Sequence, residues 1–208
     1  MARIGGMSCA PTAQTPMPAV TAQPLRLIRP DRAALPAYVD ALQRGWSADN
    51  IRGAAAAEEE LAAIATDADA FLAQLYDPEG AGPPIKALDG TLFQRLPGMR
   101  LWLWDGEFCG SIGFRWPRDG GDLPEHVPGH IGYAVVPWKR QLGYATQALA
   151  LLLPKARERG LAFVDLTTEV ANLPSQKAIT ANGGREVERF FKPDAHGGAE
   201  SIRWRIDL

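Results

Sequence analysis

The stretch HIGYAVVPWKRQLGYATQALALLLPKARERG, residues 130–160, decides the fold. Its first residues, from Ile131 to Val136, are mostly apolar and stop at Pro137, as a strand does. Farther on, Ala145, Ala148, Leu149, Leu152 and Ala156 recur at helical spacing, and Gly160 closes the helix. Pro154 removes one backbone donor inside that helix and predicts a kink. Between strand and helix lie Arg140-Gln141-Leu142-Gly143-Tyr144-Ala145. Gly143 and Ala145 have little or no side chain, so an incoming group can come close to the backbone. The first-turn amides have no intrahelical acceptor, the helix dipole adds partial positive charge, and Lys139 and Arg140 bring full charges. Together these make an anion site suited to a pyrophosphate. A glycine ahead of a helix also serves as plain turn chemistry.

Other phosphate and nucleophile motifs fail on inspection. No GxxxxGK[ST] occurs, and Gly80-Ala81-Gly82 runs into Pro83-Pro84 instead of a helix. Ser111 lacks the first glycine of GxSxG, because Cys109 occupies that place. Upstream, RLWLW and EFCGSIGFRW flank Asp105-Gly106 and read as a tight hairpin. LRLIRP predicts a first strand. Asp31 is placed to cap a helix carrying Leu35, Tyr38, Val39 and Leu42 on one side, ended by Gly45. A second helix is expected from Glu58 to Leu75, its Glu58-Glu59-Glu60 start a solvated face. Residues 77–97 and 117–129 are Gly-, Pro- and Asp-rich connections. Downstream come the strand LAFVDLTTE, the helix PSQKAITAN with Pro174 in its first turn, and the strands REVERFF and SIRWRIDL. The expected order is strand, two helices, three strands, helix, strand, helix, two strands: a mixed α/β domain on one central sheet.

Composition narrows the function classes. The 208 residues are 46% apolar and 22% charged with a net charge of -2, enough for one domain with its own core. Near neutrality argues against a dedicated binder of nucleic acid or anionic membrane. The longest purely apolar run, residues 148–153, is far short of a membrane span. Cys9 and Cys109 make neither a disulfide framework nor a metal spacing. Pro128 and Gly129 break the helix that His126 and His130 would need to share a metal, so none is expected. Residues 1–23 carry no apolar period and read as a disordered tail, with Met7 and Met17 as alternative starts, leaving 24–208 as the domain. A cytoplasmic protein is the expectation.

The loop resembles the acetyl-CoA loop of the GNAT superfamily of N-acyltransferases, [Arg/Gln]-x-x-Gly-x-[Gly/Ala]: Arg140, Gly143 and Ala145 fill its fixed places. The likeness continues through GYATQAL, Asn172-x-x-Ser175 and Gly183-Gly184. The element order resembles a bacterial branch of predicted acetyltransferases. The resemblance implies the GNAT fold, a mostly antiparallel central sheet splayed between its fourth and fifth strands and flanked by helices. It implies that the amides of Gln141, Leu142, Gly143, Tyr144 and Ala145, with Arg140 nearby, hold the pyrophosphate of acetyl-CoA, the acyl-donor cosubstrate. The strand ending in Ala134-Val135-Val136 would pair with the pantetheine arm, and an amide of Val135 or Val136 would stabilise the developing oxyanion. Asn172 would bond the pantetheine and Ser175 would lie near the sulfur.

The implied activity is transfer of an acetyl group to a primary amine of a small molecule or peptide by direct attack in a ternary complex. The alternative is a catalytically silent acyl-CoA-binding sensor or scaffold. Transfer requires a base for the ammonium and tolerance of the thiolate. His130, at the start of the splayed strand, is the first candidate base; its other reading is a hydrogen bond to a neighbouring loop. Glu169 is the second candidate, or a solvated carboxylate. Where many members carry a tyrosine four residues after the serine, this chain has Ile179. Ser175, a water or Tyr144 then substitutes as acid, or none is required. Trp102 and Trp104 read as sheet packing, whereas Trp46 and Trp116 sit where relatives build acceptor walls. The final strands of such folds often pair between subunits, which allows a homodimer.

Overall fold

A computed structural model describes residues 23–86, 90–118, 122–192 and 198–208. The expected tail lies outside these residues except for Gln23, whose amide donates to the Asp105 carbonyl at 3.2 Å. The chain runs β1 (Arg26–Ile28), α1 (Leu35–Gln43), α2 (Ala54–Thr66), α3 (Ala68–Gln74), β2 (Tyr76–Asp77), β3 (Ile85–Lys86), β4 (Leu92–Phe93), β5 (Gly98–Trp104), β6 (Phe108–Arg115) and β7 (Ile131–Val135). A 3-10 turn (Pro137–Lys139) follows, then α4 (Tyr144–Glu158), β8 (Phe163–Glu169), α5 (Leu173–Thr180), β9 (Arg185–Phe191) and β10 (Glu200–Asp207).

The order matches the sequence reading with two refinements. The second helix is two: Asp67 breaks it, turning extended and accepting from the amides of Asp69 and Ala70 to cap α3. The connection after α3 holds three two-residue strands, β3 and β4 pairing as a small hairpin. Asp31 does cap the entry to α1, its carboxylate accepting from the Ala34 amide at 2.8 Å.

Five strands form one antiparallel sheet, in the order β1-β5-β6-β7 with β2 also on β5; β8-β10-β9 form a second. The two meet where β7 and β8 begin. The His130 amide donates to the Asp165 carbonyl at 2.7 Å. Farther along, Ile131, Gly132 and Tyr133 face Leu166, Thr167 and Thr168 across a cleft, ascending together as parallel strands do. The splay implied by the resemblance is therefore wide enough to part the sheet in two.

Alternation along the strands divides the core. Met99, Leu101, Leu103, Ile112, Phe114 and Ile131 join Ala148, Leu149, Leu152 and Ala156 of α4 on one face. Trp102, Phe108 and Val136 join Tyr38, Leu42, Trp46 and Phe71 on the other. Tyr38 stacks on Trp102 with ring centroids 4.7 Å apart. As expected, Trp102 is wholly buried.

Candidate active site

The loop after β7 is shaped by two left-handed residues. Gly143 has φ +75°, and Gln141, at φ +63°, is the only non-glycine with positive φ among the described residues. A side chain held there costs free energy and marks a backbone the surroundings have fixed. α4 starts at Tyr144, and its first internal acceptor is the Gly143 carbonyl, bonded by Gln147 at 3.0 Å. The amides of Tyr144, Ala145 and Thr146 therefore have no partner within the helix. Those of Gln141, Leu142 and Gly143 donate to no described acceptor. A methyl built on Gly143 would meet only the Gln147 side chain, at 3.6 Å, so the space over these amides is open. Exposed, unsatisfied, convergent donors at a helix N-terminus fit a diphosphate.

Charge around the loop is distributed differently from the sequence expectation. Lys139 is not free for an anion, since its Nζ lies 2.9 Å from Asp105 and 3.0 Å from Glu107. The Tyr144 hydroxyl donates to the same Asp105 carboxylate at 2.5 Å. Burial alone would raise the Asp105 pKa, but hydrogen bonds from Tyr144 and Lys139 outweigh it and hold the carboxyl at about 2. Asp105, at the β5–β6 hairpin tip, thus latches the loop to the sheet. The latch removes Tyr144 as a substitute acid: the bond to Asp105 and burial push its phenol up to about 12 and aim its proton away from the cleft. Arg140 stays exposed, its Nε donating to the Val135 carbonyl at 3.3 Å.

The cleft between β7 and β8 has a volume of about 100 Å³ and is lined by Tyr133, Thr168, Asn172, Ser175 and Ile179 among others. That is room for the acyl end of a thioester, while a coenzyme's long arm must run outside it. A larger hollow of about 230 Å³, walled by Leu27, Tyr76, Lys155 and Arg159, contains no residue of the loop. Asn172 caps α5, its side-chain oxygen accepting from the Ser175 amide at 3.2 Å. Its carboxamide nitrogen is left as the donor a pantetheine carbonyl needs.

Strand register decides between the two oxyanion candidates. The Arg115 amide donates to the His130 carbonyl at 2.9 Å and the Val136 amide to the Cys109 carbonyl at 3.0 Å, so 132, 134 and 136, with the carbonyl of 130, are the positions that bond β6. Val136 is therefore corrected: its amide is spent and its side chain fully buried. The Val135 amide points away from β6, toward the cleft.

His130 is a joint between the sheets. Its Nδ1 accepts from the Asp165 amide at 3.0 Å, and its ring meets Phe163 edge-on. Burial lowers its pKa against the pull of Asp165. A neutral ring that uses Nδ1 as acceptor carries its proton on Nε2, which leaves no free lone pair for a substrate ammonium. The base assignment is corrected on that ground. Glu169 also lies apart from the cleft, exposed at the end of β8 and paired with Lys192 at 3.2 Å. Ser175 does line the cleft.

Several placements had no sequence signal. Trp46 lies in the aromatic core against Tyr38 and Phe108, and Trp116 packs on Phe114 beneath Arg159, so neither walls the cleft. Glu60 is no solvated residue: it accepts from the Tyr38 hydroxyl and from Arg100 at 2.8 Å. Tyr133 was the chief omission. Its phenol reaches across the cleft to donate to the Ser175 carbonyl at 3.3 Å, and burial raises its pKa. Strand parity puts its side chain on the face opposite His130 if no bulge intervenes; the position of α5, which the sequence does not give, brings it to the serine.

A parted sheet with an amide-rich loop at one end of the gap defines an acyl-coenzyme-dependent transferase. The acetyltransferase (GNAT) family model matches residues 61–183, and the chain belongs to that family as an N-acetyltransferase. Similar solved structures include RimL, a ribosomal L7/L12 alpha-N-protein acetyltransferase in complex with coenzyme A. It is 14% identical over 92% of this chain and 97% of its own, with TM-score 0.60. An acetyltransferase from Salmonella typhimurium that modifies the N-terminal serine of ribosomal protein L7/L12 is 15% identical over 92% and 98%, with TM-score 0.57. A GNAT-family acetyltransferase from Bacillus anthracis is 16% identical over 90% and 96%, with TM-score 0.56. At these identities the likeness is one of fold. No protein of curated function matches the sequence.

Proposed function

We propose that this chain transfers the acetyl group of acetyl-CoA directly to a primary amine of a small molecule or peptide, both substrates being held at once. The observation that carries this reading is the row of unsatisfied amides at residues 141–146 beside the cleft between β7 and β8. The loop amides and Arg140 bind the diphosphate, and the exposed edge of β7 takes the pantetheine as an added strand. Asn172 fixes that arm through its carboxamide nitrogen, and the Val135 amide faces the thioester oxygen. The amine lone pair attacks the carbonyl carbon, and charge collects on that oxygen, where the amide stabilises it. The nitrogen then loses its proton to water and the carbon–sulfur bond breaks. With Ile179 in the place of the usual tyrosine, the phenol of Tyr133 and the hydroxyl of Ser175 are the cleft's proton donors for the departing thiolate.

One similar structure in complex with coenzyme A, and one in complex with acetyl-CoA and AMP, support the donor assignment. Relatives that modify ribosomal protein L7/L12 make an N-terminal peptide amine one acceptor class for this chain. Calorimetry with acetyl-CoA, followed by an amine panel read by thiol release, tests the proposal. Binding together with amine-dependent release of free coenzyme is the expected result. Binding without release by any amine would favour the sensor alternative, and absence of binding would end both.

A further inference from the structure

The sheet face beneath α1–α3 contains a bare patch. Gly113 of β6 and Gly132 of β7 are direct cross-strand partners. A methyl built on Gly113 would meet only backbone oxygens, at 3.8 Å and 4.0 Å; one built on Gly132 would meet only the Arg115 guanidinium, at 4.0 Å. Paired glycines in a strand interior give up packing and open a hollow for a close approach. Gly132, exposed, also lines the cleft, and exposed Asn50, from the connection between α1 and α2, lies on the same rim. The hollow and the cleft are therefore continuous across β7.

Arg115 overhangs this hollow, and among the described residues it has no hydrogen-bond or ion-pair partner for its side chain. Its surroundings deepen the imbalance. Burial lowers its pKa and the neighbouring Arg100 lowers it further. Arg100 itself is balanced by Glu60, which also takes the Tyr38 hydroxyl. The patch thus holds two guanidiniums against one carboxylate. The half-buried guanidinium keeps its donors unspent in the free protein, and an anion that docks there takes them up. Its planar fork matches a carboxylate through two parallel hydrogen bonds.

We infer that the acceptor amine carries a carboxylate, which Arg115, seconded by Arg100, binds over the Gly113–Gly132 hollow while the amino group enters the cleft. This rests on the acetyl-transfer reading above and deepens it. Acceptor and donor then occupy opposite sides of β7, with separate cationic sites for the carboxylate and the diphosphate.

The test uses the full chain, acetyl-CoA and thiol release. Short ω-amino acids are paired with their primary amides, and dipeptides bearing aspartate or glutamate with their asparagine or glutamine counterparts. Acids should exceed amides by at least about tenfold in kcat/KM, as a lost charge-assisted pair implies. Arg115→Gln should abolish that preference through KM, Arg115→Lys should restore part of it, and neither should change acetyl-CoA affinity or lower Tm. Equal rates, a preference for amides, or coenzyme binding without turnover of any carboxylated amine would overturn this inference alone. Failure to bind acetyl-CoA would overturn the transfer reading beneath it as well.

Discussion

The two ends of β7 differ in what their polar groups have left to give. At the Gly129–His130 end, the hydrogen bonds join strand to strand: His130 bonds Asp165 through both its amide and its ring, and the Thr167 hydroxyl bonds the Pro128 carbonyl. Gly129 lies so close to β8 that a methyl there would sit 2.7 Å from the Asp165 carbonyl oxygen. At the Val135–Gly143 end, a row of amides faces open space. Both ends drew attention in the sequence as sites of chemistry. A joint has spent its hydrogen bonds, whereas a binding site keeps them unspent, and only three-dimensional partners tell the two apart.

Mutations at the two ends should separate cleanly. Gly143→Asp has room for its side chain, and a residue at φ +75° costs only about 1 kcal/mol of backbone strain, so the fold should persist while a carboxylate confronts the diphosphate. We expect acetyl-CoA affinity to fall by about a hundredfold or more in calorimetry, with Tm lowered by only a few degrees. A large fall in Tm would mean that the loop is structural, like the other end.

Asp105 ties the open end to the sheet. Asp105→Asn should weaken coenzyme binding by about tenfold and destabilise the protein by about 2 kcal/mol, because Lys139 keeps only the exposed Glu107. The sign of its pH dependence follows from the carboxyl's descent from 3.8 to about 2 on folding. The latch's contribution is complete above pH 3.8 and is lost as pH falls through the folded value near 2. Tm followed against pH should show this loss in the wild type and not in the Asn variant.

Midway along β7, Tyr133→Phe should lower kcat by about tenfold and leave acetyl-CoA affinity intact, a modest effect because a thiolate leaves readily. At the closed end, His130→Gln should cost about 1–2 kcal/mol of stability in thermal unfolding, yet leave the shape of the pH–rate profile unchanged. Loss of the profile's acidic limb would reinstate His130 as base.

Legibility followed the range of the interactions. Residues 98–184 were readable because local rules fix them: the Asp105-Gly106 turn, the stop at Pro137, the helical spacing of Ala148, Leu149 and Leu152, and Pro174 in the first turn of its helix. The split at Asp67 was missed because the apolar period from Leu61 to Phe71 runs straight through it. Site roles depended on partners far along the chain. His130 meets Asp165 and Tyr133 meets Ser175, while Glu60 meets Arg100 and Lys139 meets Asp105. No periodicity encodes such pairs, so an unspent amide and a spent imidazole look alike in one dimension.

Backbone amide spectra of the isotope-labelled chain, titrated with acetyl-CoA, test the central claim most directly. The account predicts that the strongest shifts fall at residues 141–146 and Val135, with His130 and Asp165 nearly still. Shifts centred on the hollow beside Tyr76 and Arg159, with the loop silent, would contradict it.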